Sequence, residues 1–189
     1  MTLANTFFES KVEQLDDVTS RLGAALERAG IPYQVIGGLA VFFHIDAIDP
    51  LKARLTRDVD IAVDRRYLKQ IAAAVESAGL RYRHVAGVDM LVDANEPKAR
   101  SAIHMIFAHE RVRPEYVDTV PGVTNPERTK KGFLIAPVAD LVRMKLTSFR
   151  LKDKVHIQDL DSVGLITPEI EAGLSEPLRA RLAEVRATE

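Results

Sequence analysis

The sequence predicts an α+β domain: a mixed sheet flanked by helices, with a small helical tail. Three observations carry this prediction. A long amphipathic period opens the chain over Asn5–Ala29, a strand–helix–strand pass follows it, and Pro137 opens a run of helices that lasts to the C-terminus. The first segment repeats Phe8, Val12, Leu15, Val18, Leu22, Ala25 and Leu26 at helical spacing; Gly30 stops it and Pro32 prevents its restart. Tyr33–Ile36 reads as a strand, Leu39–His44 as a helix, and Arg54–Val63 as a second strand. Arg66–Ala78 is read as a helix stopped by Gly79, Leu80–Val92 as one or two strands, Ser101–Phe107 as another, and Gly132–Ala136 as a last short strand. The helix from Pro137 carries Val138, Leu141, Val142, Lys145, Leu146 and Phe149, with Asp140 in its first turn and Arg150 and Lys152 near its end, matching the helix dipole. Shorter helices are expected near Val155–Val163, Pro168–Gly173 and from Glu176 onward. The boundary falls near Ala136, which divides a sheet-bearing core (1–136) from a helical tail (137–189).

Length and composition fit one well-cored domain with an appendage: 189 residues, 47% hydrophobic, 28% charged. A formal net charge of −1 supplies no overall field to draw the chain to nucleic acid or an anionic membrane. The absence of cysteine rules out disulfides and thiolate metal sites and agrees with a cytoplasmic location. The N-terminal residues lack the basic start and long apolar run of an export signal. The most apolar stretch, Val35–Ile48, is broken by glycines, His44 and Asp46, too short to span a bilayer.

The chemistry concentrates in two short motifs. In Arg54-Leu55-Thr56-Arg57-Asp58-Val59-Asp60-Ile61-Ala62-Val63, strand alternation puts Asp58, Asp60 and Ala62 on one face and Val59, Ile61 and Val63 on the other. Two neighbouring carboxylates repel unless a cation sits between them, which is the arrangement for Mg²⁺ bound through oxygens, with substrate phosphates completing the shell. Upstream, Gly37-Gly38 joins strand to helix. Glycine lets bare backbone amides approach a phosphate, and the helix N-terminus adds a favourable dipole. One element would hold phosphates and the other the metal that bridges them.

The order strand, Gly37-Gly38, helix, Thr56-x-Asp58-x-Asp60 resembles the DNA polymerase β-like nucleotidyltransferase superfamily. Within it the chain is most similar to small bacterial proteins grouped with the AbiEii toxin and the minimal nucleotidyltransferases. The resemblance spans Ile31–Phe107. It continues through Pro137–Leu160, where a lysine-bearing helix around Lys145 precedes the charged stretch Lys152–Leu160. It implies a nucleotidyltransferase-like sheet and transfer of a nucleoside monophosphate from an NTP with Mg²⁺ or Mn²⁺. Asp58 and Asp60 would be catalytic metal ligands, Gly37 and Gly38 the phosphate cradle, and Lys145 a phosphate contact. Arg54 and Thr56 flank the carboxylates as further ligand contacts, Arg54 ranking above Arg57. The acceptor, whether a tRNA end, a protein side chain or a small molecule, is not specified.

The family places a third carboxylate on a neighbouring strand, where this chain carries His104. Three readings stand: a general base, since imidazole titrates near neutral pH; a metal ligand favouring Mn²⁺ or Zn²⁺; or a substitution that removed the third ligand. Val88-Asp89-Met90-Leu91 offers Asp89 as a substitute metal ligand, while Asp93-Ala94-Asn95 reads as turn chemistry. Without its third carboxylate the same fold is alternatively a nucleotide- or protein-binding module, as in a toxin–antitoxin pair, with a protein partner or a second copy of itself. His109–Lys131, punctuated by Pro114, Pro121, Gly122 and Pro126 and locally basic, is expected to be a long surface loop, either a lid over a triphosphate or a solvated segment.

Overall fold

The computed structural model describes residues 3–56, 58–95 and 102–188. Arg57 and Ser101, which the expected strands include, lie outside them. Among the described residues are seven α-helices and one seven-stranded sheet: α1 (Leu3–Arg28), β1 (Tyr33–Ile36), α2 (Gly37–Asp46), β2 (Val59–Val63), α3 (Leu68–Ala74), β3 (Leu80–Val85), β4 (Val88–Asp93), β5 (Ile103–Phe107), β6 (Glu127–Arg128), β7 (Leu134–Ile135), α4 (Val138–Ser148), α5 (Leu151–Ser162), α6 (Pro168–Ala172) and α7 (Glu176–Arg186). The strand order is β3-β4-β5-β2-β1-β7-β6. β2 runs parallel to β5 and β1 parallel to β7, and every other neighbouring pair is antiparallel. This is the mixed sheet with flanking helices that the alternating pattern predicts.

The two faces of the central strands have different fates. Tyr33, Val35, Ile61, Val63, Met105 and Phe107 share one face and are all buried. α1 packs on that side and brings Glu27 to the Tyr33 hydroxyl, which donates to it at 3.2 Å and accepts from the Leu134 amide at 3.3 Å. The other face carries Gln34, Ile36, Asp60, Ala62, His104 and Ile106, and α4 stands opposite it. One apolar core runs through both the sheet and the C-terminal helices, from Leu22 and Leu26 through Ile61 and Leu141 to Leu178 and Leu182. The sheet-bearing core expected over 1–136 and the helical tail expected over 137–189 thus share one apolar core.

Several elements differ in extent from the sequence expectation. β2 begins at Val59, so Asp58 lies just before the strand. α2 begins at Gly37 rather than Leu39, directly off β1, and is buried on most of its circumference, which explains its nearly unbroken apolar sequence. Arg65–Tyr67 and Val75–Ala78 are 3₁₀ turns on either side of a shorter α3. Leu80–Asp93 resolves into an antiparallel hairpin, and the Asn95 amide donates to the Asp93 carboxylate at 2.8 Å, the expected turn chemistry. Pro137 caps α4 from just outside it. α5 starts at Leu151, four residues before the expected point. Between α4 and α5 the chain turns at Phe149 in a left-handed conformation (φ 51°). Arg181 of α7 secures that turn by donating to the Leu146 and Thr147 carbonyls at 2.7 and 2.9 Å, groups that a helix end leaves without partners. No helix among the described residues is long and apolar enough to cross a membrane.

Candidate functional site

Strand register assembles the acidic side of the site. Asp60 lies opposite Ile36 of β1 on one side and His104 of β5 on the other. His104 Nδ1 is 3.2 Å from Asp60 Oδ1. The pairing raises the His104 pKa above its ordinary value, since the Asp60 hydrogen bond outweighs partial burial and the charges of Asp60 and Asp58 add to it. Gly37 lies against the other carboxylate oxygen. It sits at φ +72°, which requires glycine, and a Cβ there would collide with the Asp60 carboxylate unless that group moved. A Cβ on Gly38 would meet Thr56 at 3.0 Å and His156 Cε1 at 3.4 Å. The bare start of α2 is thus pressed between Asp60, Thr56 and His156, and no side chain caps its first amides. Asp58 is exposed, and its amide donates to Thr56 Oγ1 at 3.4 Å.

The basic side comes from α4 and α5. Lys145 is buried and its ammonium lies 3.1 Å from Asp153 Oδ1. Asp153 is wholly buried and also accepts from Ser148 Oγ at 2.7 Å, Arg150 Nε at 2.8 Å and the Arg150 amide at 3.2 Å. Burial alone would push the Asp153 carboxyl up, but the Arg150 hydrogen bond and the Lys145 charge outweigh it and hold it below its usual range. Burial lowers the Lys145 pKa, against the pull of Asp153.

Between these sides lies a hollow of about 440 Å³. Gly37, Gly38, Arg54, Thr56, Asp58, Asp60, His104 and Lys145 all line it. Arg54 is mostly exposed and pairs with Asp159 at 3.1 Å. Asp89 is not brought there. Met90, not Asp89, stands opposite His104, so Asp89 lies on the far side of the sheet. It accepts there from the Tyr82 hydroxyl at 2.5 Å and His84 Nδ1 at 2.8 Å, near Arg65. The substitute carboxylate expected at Asp89 is thus excluded from the hollow by register, and His104 holds the position in line with Asp60.

The sequence reading overlooked Asp153, Arg150 and His156. Their signal was present: Asp153, His156, Ile157 and Leu160 follow helical spacing, so two polar residues share a stripe with core residues, and a polar group on an inward stripe is informative. The loop after β5 also takes part, although not through its arginines and lysines. It is tied at its base by backbone bonds between His109 and Val120 (2.8 Å) and between Val120 and Glu110 (2.9 Å), and it walls the hollow with Val112, Tyr116 and Asp118. Arg128 and Lys131 point away, to Glu27 and Asp16.

As to a metal, Asp58, Asp60 and Asp118 line the hollow, Asp118 from the loop side and paired with Arg143, and the imidazole of His104 is already bound to Asp60. Among the described residues no cluster of three or more His, Asp or Glu side chains forms a self-sufficient cation site. The donor set fits a hard divalent ion whose shell is completed by ligand oxygens.

No protein-family model matches the chain, and no curated protein matches it. Solved structures do. The fold is similar to that of an antigenic nucleotidyltransferase-like protein from Paracoccidioides brasiliensis (TM-score 0.60, 16% identity, 94% of this chain and 89% of that one). It is also similar to the solution structure of the antibiotic-resistance factor ANT(2'')-Ia (TM-score 0.55, 14% identity, 93% and 95%). The chain therefore has a nucleotidyltransferase-like fold.

Proposed function

We propose that this protein is a nucleotidyltransferase that binds an NTP in the hollow and transfers its nucleoside monophosphate to an acceptor hydroxyl. The observation that carries the proposal is the contact between Gly37 and Asp60. It sets a carboxylate pair and the bare amides of α2 within one hollow, with Lys145 on the opposite wall. Gly37 and Gly38 receive the phosphate chain, Lys145 and Arg54 balance its charge, and Thr56 orients it. Asp58 and Asp60 would hold Mg²⁺ or Mn²⁺, which on binding would supply positive charge to the phosphate oxygens. The acceptor oxygen bonds to the α-phosphorus, the bond from that phosphorus to the bridging oxygen breaks, and pyrophosphate leaves. The acceptor proton passes to the Asp60–His104 pair. Closeness to the AbiEii-type proteins and a cytoplasmic setting belong to this proposal and rest on the motif order and the cysteine-free composition.

The test is nucleotide transfer with each α-labelled NTP and Mg²⁺ or Mn²⁺, using tRNA, the protein itself and small hydroxylated compounds as acceptors. Label joined to an acceptor by the native chain and lost in Asp60→Asn supports the proposal. A folded native chain that transfers no label in any combination sinks it. A second reading is favoured by one observation, the imidazole in line with Asp60 where a third carboxylate would stand. On that reading the fold binds a nucleotide without turnover, and His104→Asp would create an activity the native chain lacks. If instead His104→Ala abolishes an existing activity, the histidine is catalytic.

A further inference from the structure

His156 has no part in the chemistry above, yet it lines the hollow. It projects from α5 into the hollow, and its ring lies against the Gly37–Gly38 turn, with Cε1 3.4 Å from the point where a Cβ on Gly38 would stand. Its Nδ1 is closed off from solvent and has no hydrogen-bond partner among the described residues. A buried polar atom left unpaired is costly unless something else satisfies it.

The charges around the ring are lopsided. α4 brings Lys145; its own helix and the residue that caps it bring Arg150, Lys152 and Asp153, of which Asp153 is already engaged by five donors. α2 brings only the glycine backbone to the hollow. Arg54, Asp58 and Asp60 line it from the β2 side, and His104 and Asp118 from β5 and the loop beyond. Burial and then Lys145 drive the imidazole pKa down to about 4, with Lys152 and Arg150 adding to the effect and Asp153 opposing it. His156 is therefore neutral at neutral pH, set among three cations beside a turn built for close approach.

We propose that His156 is an anion-coupled proton acceptor, neutral in the free protein and protonated as the phosphate chain of a nucleotide settles against the Gly37–Gly38 turn. The inference rests on the reading of the hollow as a triphosphate site and adds a property to it: ligand binding takes up a proton. A phosphate between the ring and the cations offsets their repulsion and so favours the imidazolium. The proton comes from solvent, and no covalent bond changes.

The test uses inorganic triphosphate and the α,β-methylene analogue of ATP, each with Mg²⁺, on the full chain. In the native protein the His156 ring ¹⁵N signals should titrate near 4 without ligand and well above it with ligand. If the bound imidazole recovers an ordinary pKa near 6.5, affinity rises about tenfold more between pH 7.5 and 5.5 in the native chain than in His156→Gln. Titration of the ligand itself is common to both proteins and cancels from that ratio. Triphosphate binding with an unmoved His156 midpoint overturns the inference and leaves the nucleotide reading standing. Absence of any binding overturns both. Binding with the shift, but without nucleotidyl transfer, supports the inference and removes the transfer reading. The titration on the native chain decides the matter even if His156→Gln fails to fold.

Discussion

The two walls of the hollow are built on opposite plans. The helical wall is finished: Asp153 is fully buried, receives five hydrogen bonds, and locks Lys145, Ser148 and Arg150 around itself. The sheet wall is open: Asp58 is exposed, Asp60 is partly exposed, and its only side-chain partner among the described residues is a 3.2 Å contact to His104. A wall saturated by its own partners contributes to folding. A wall whose carboxylates face a hollow with few partners has its interactions reserved for something that enters. The difference separates residues that hold the site together from residues that act in it, and substitutions on the two walls should divide accordingly.

The largest effect is expected on the helical wall. Asp153→Asn leaves Lys145 buried without a counter-charge, which should cost about 3–5 kcal/mol in urea unfolding, as for other buried pairs broken on one side. Adding Lys145→Met should recover part of that loss, because the charge left over is then gone. A loss under about 1 kcal/mol in the single variant would show that the pair is not a structural lock, and the contrast between the walls would fail.

The joint between the walls comes next. Gly37→Ala forces a Cβ into a left-handed backbone and against Asp60. The backbone alone should cost about 1–2 kcal/mol. Ligand affinity should fall further than stability does, because the carboxylate must swing away from the glycine turn to make room. Equal, small losses in both would mean that Asp60 does not depend on Gly37 for its placement.

Much of this was legible in the sequence. Period-two alternation put Asp60 opposite the buried face of Ile61 and Val63, Gly-Gly marked a close approach, and one histidine stood where a carboxylate was expected. What could not be read was register. Asp89 and His104 lie in equally plausible strands, and only the pairing of Met90 with His104 turns Asp89 to the far side, since a shift of one residue reverses every side chain. The helical spacing that marks Asp153 and His156 is masked for another reason. A charge-rich stretch reads as a solvated helix until its partners, here from α4 and from the glycine turn, are known to bury one stripe of it. Lys145 shows the same limit, for no local signal distinguishes a buried helical lysine from an exposed one.

On the open wall, Asp58→Asn with Asp60→Asn should leave unfolding free energy in metal-free buffer within about 1 kcal/mol of the native value, since loosely paired, part-exposed charges contribute little. The same double variant should abolish the rise in melting temperature that Mg²⁺ or Mn²⁺ with an NTP produces in the native chain. Unfolding by several kcal/mol would make these carboxylates structural, and a retained ligand shift would place the binding elsewhere.

The finest distinction between the walls is the sign of two histidine titrations, measured in chelator so that no metal competes. His104, on the sheet wall, has a raised pKa when folded. Its contribution to stability is complete below the unfolded value of about 6.5 and fades as pH rises through the folded value. His156, on the helical wall, is depressed to about 4. Between about 6.5 and that value the unfolded chain binds a proton that the folded chain refuses, so His156 removes stability as pH falls. Relative to the native chain, His104→Gln should therefore be less stable at pH 5.5 than at pH 8.5, and His156→Gln more resistant to acid. For His156 the difference should be about 1 kcal/mol at pH 5.5, after discounting for solvent screening at a partly buried ring. Parallel rather than opposed pH profiles would show that the two imidazoles share one environment, and that the two walls of the hollow are not electrostatically distinct.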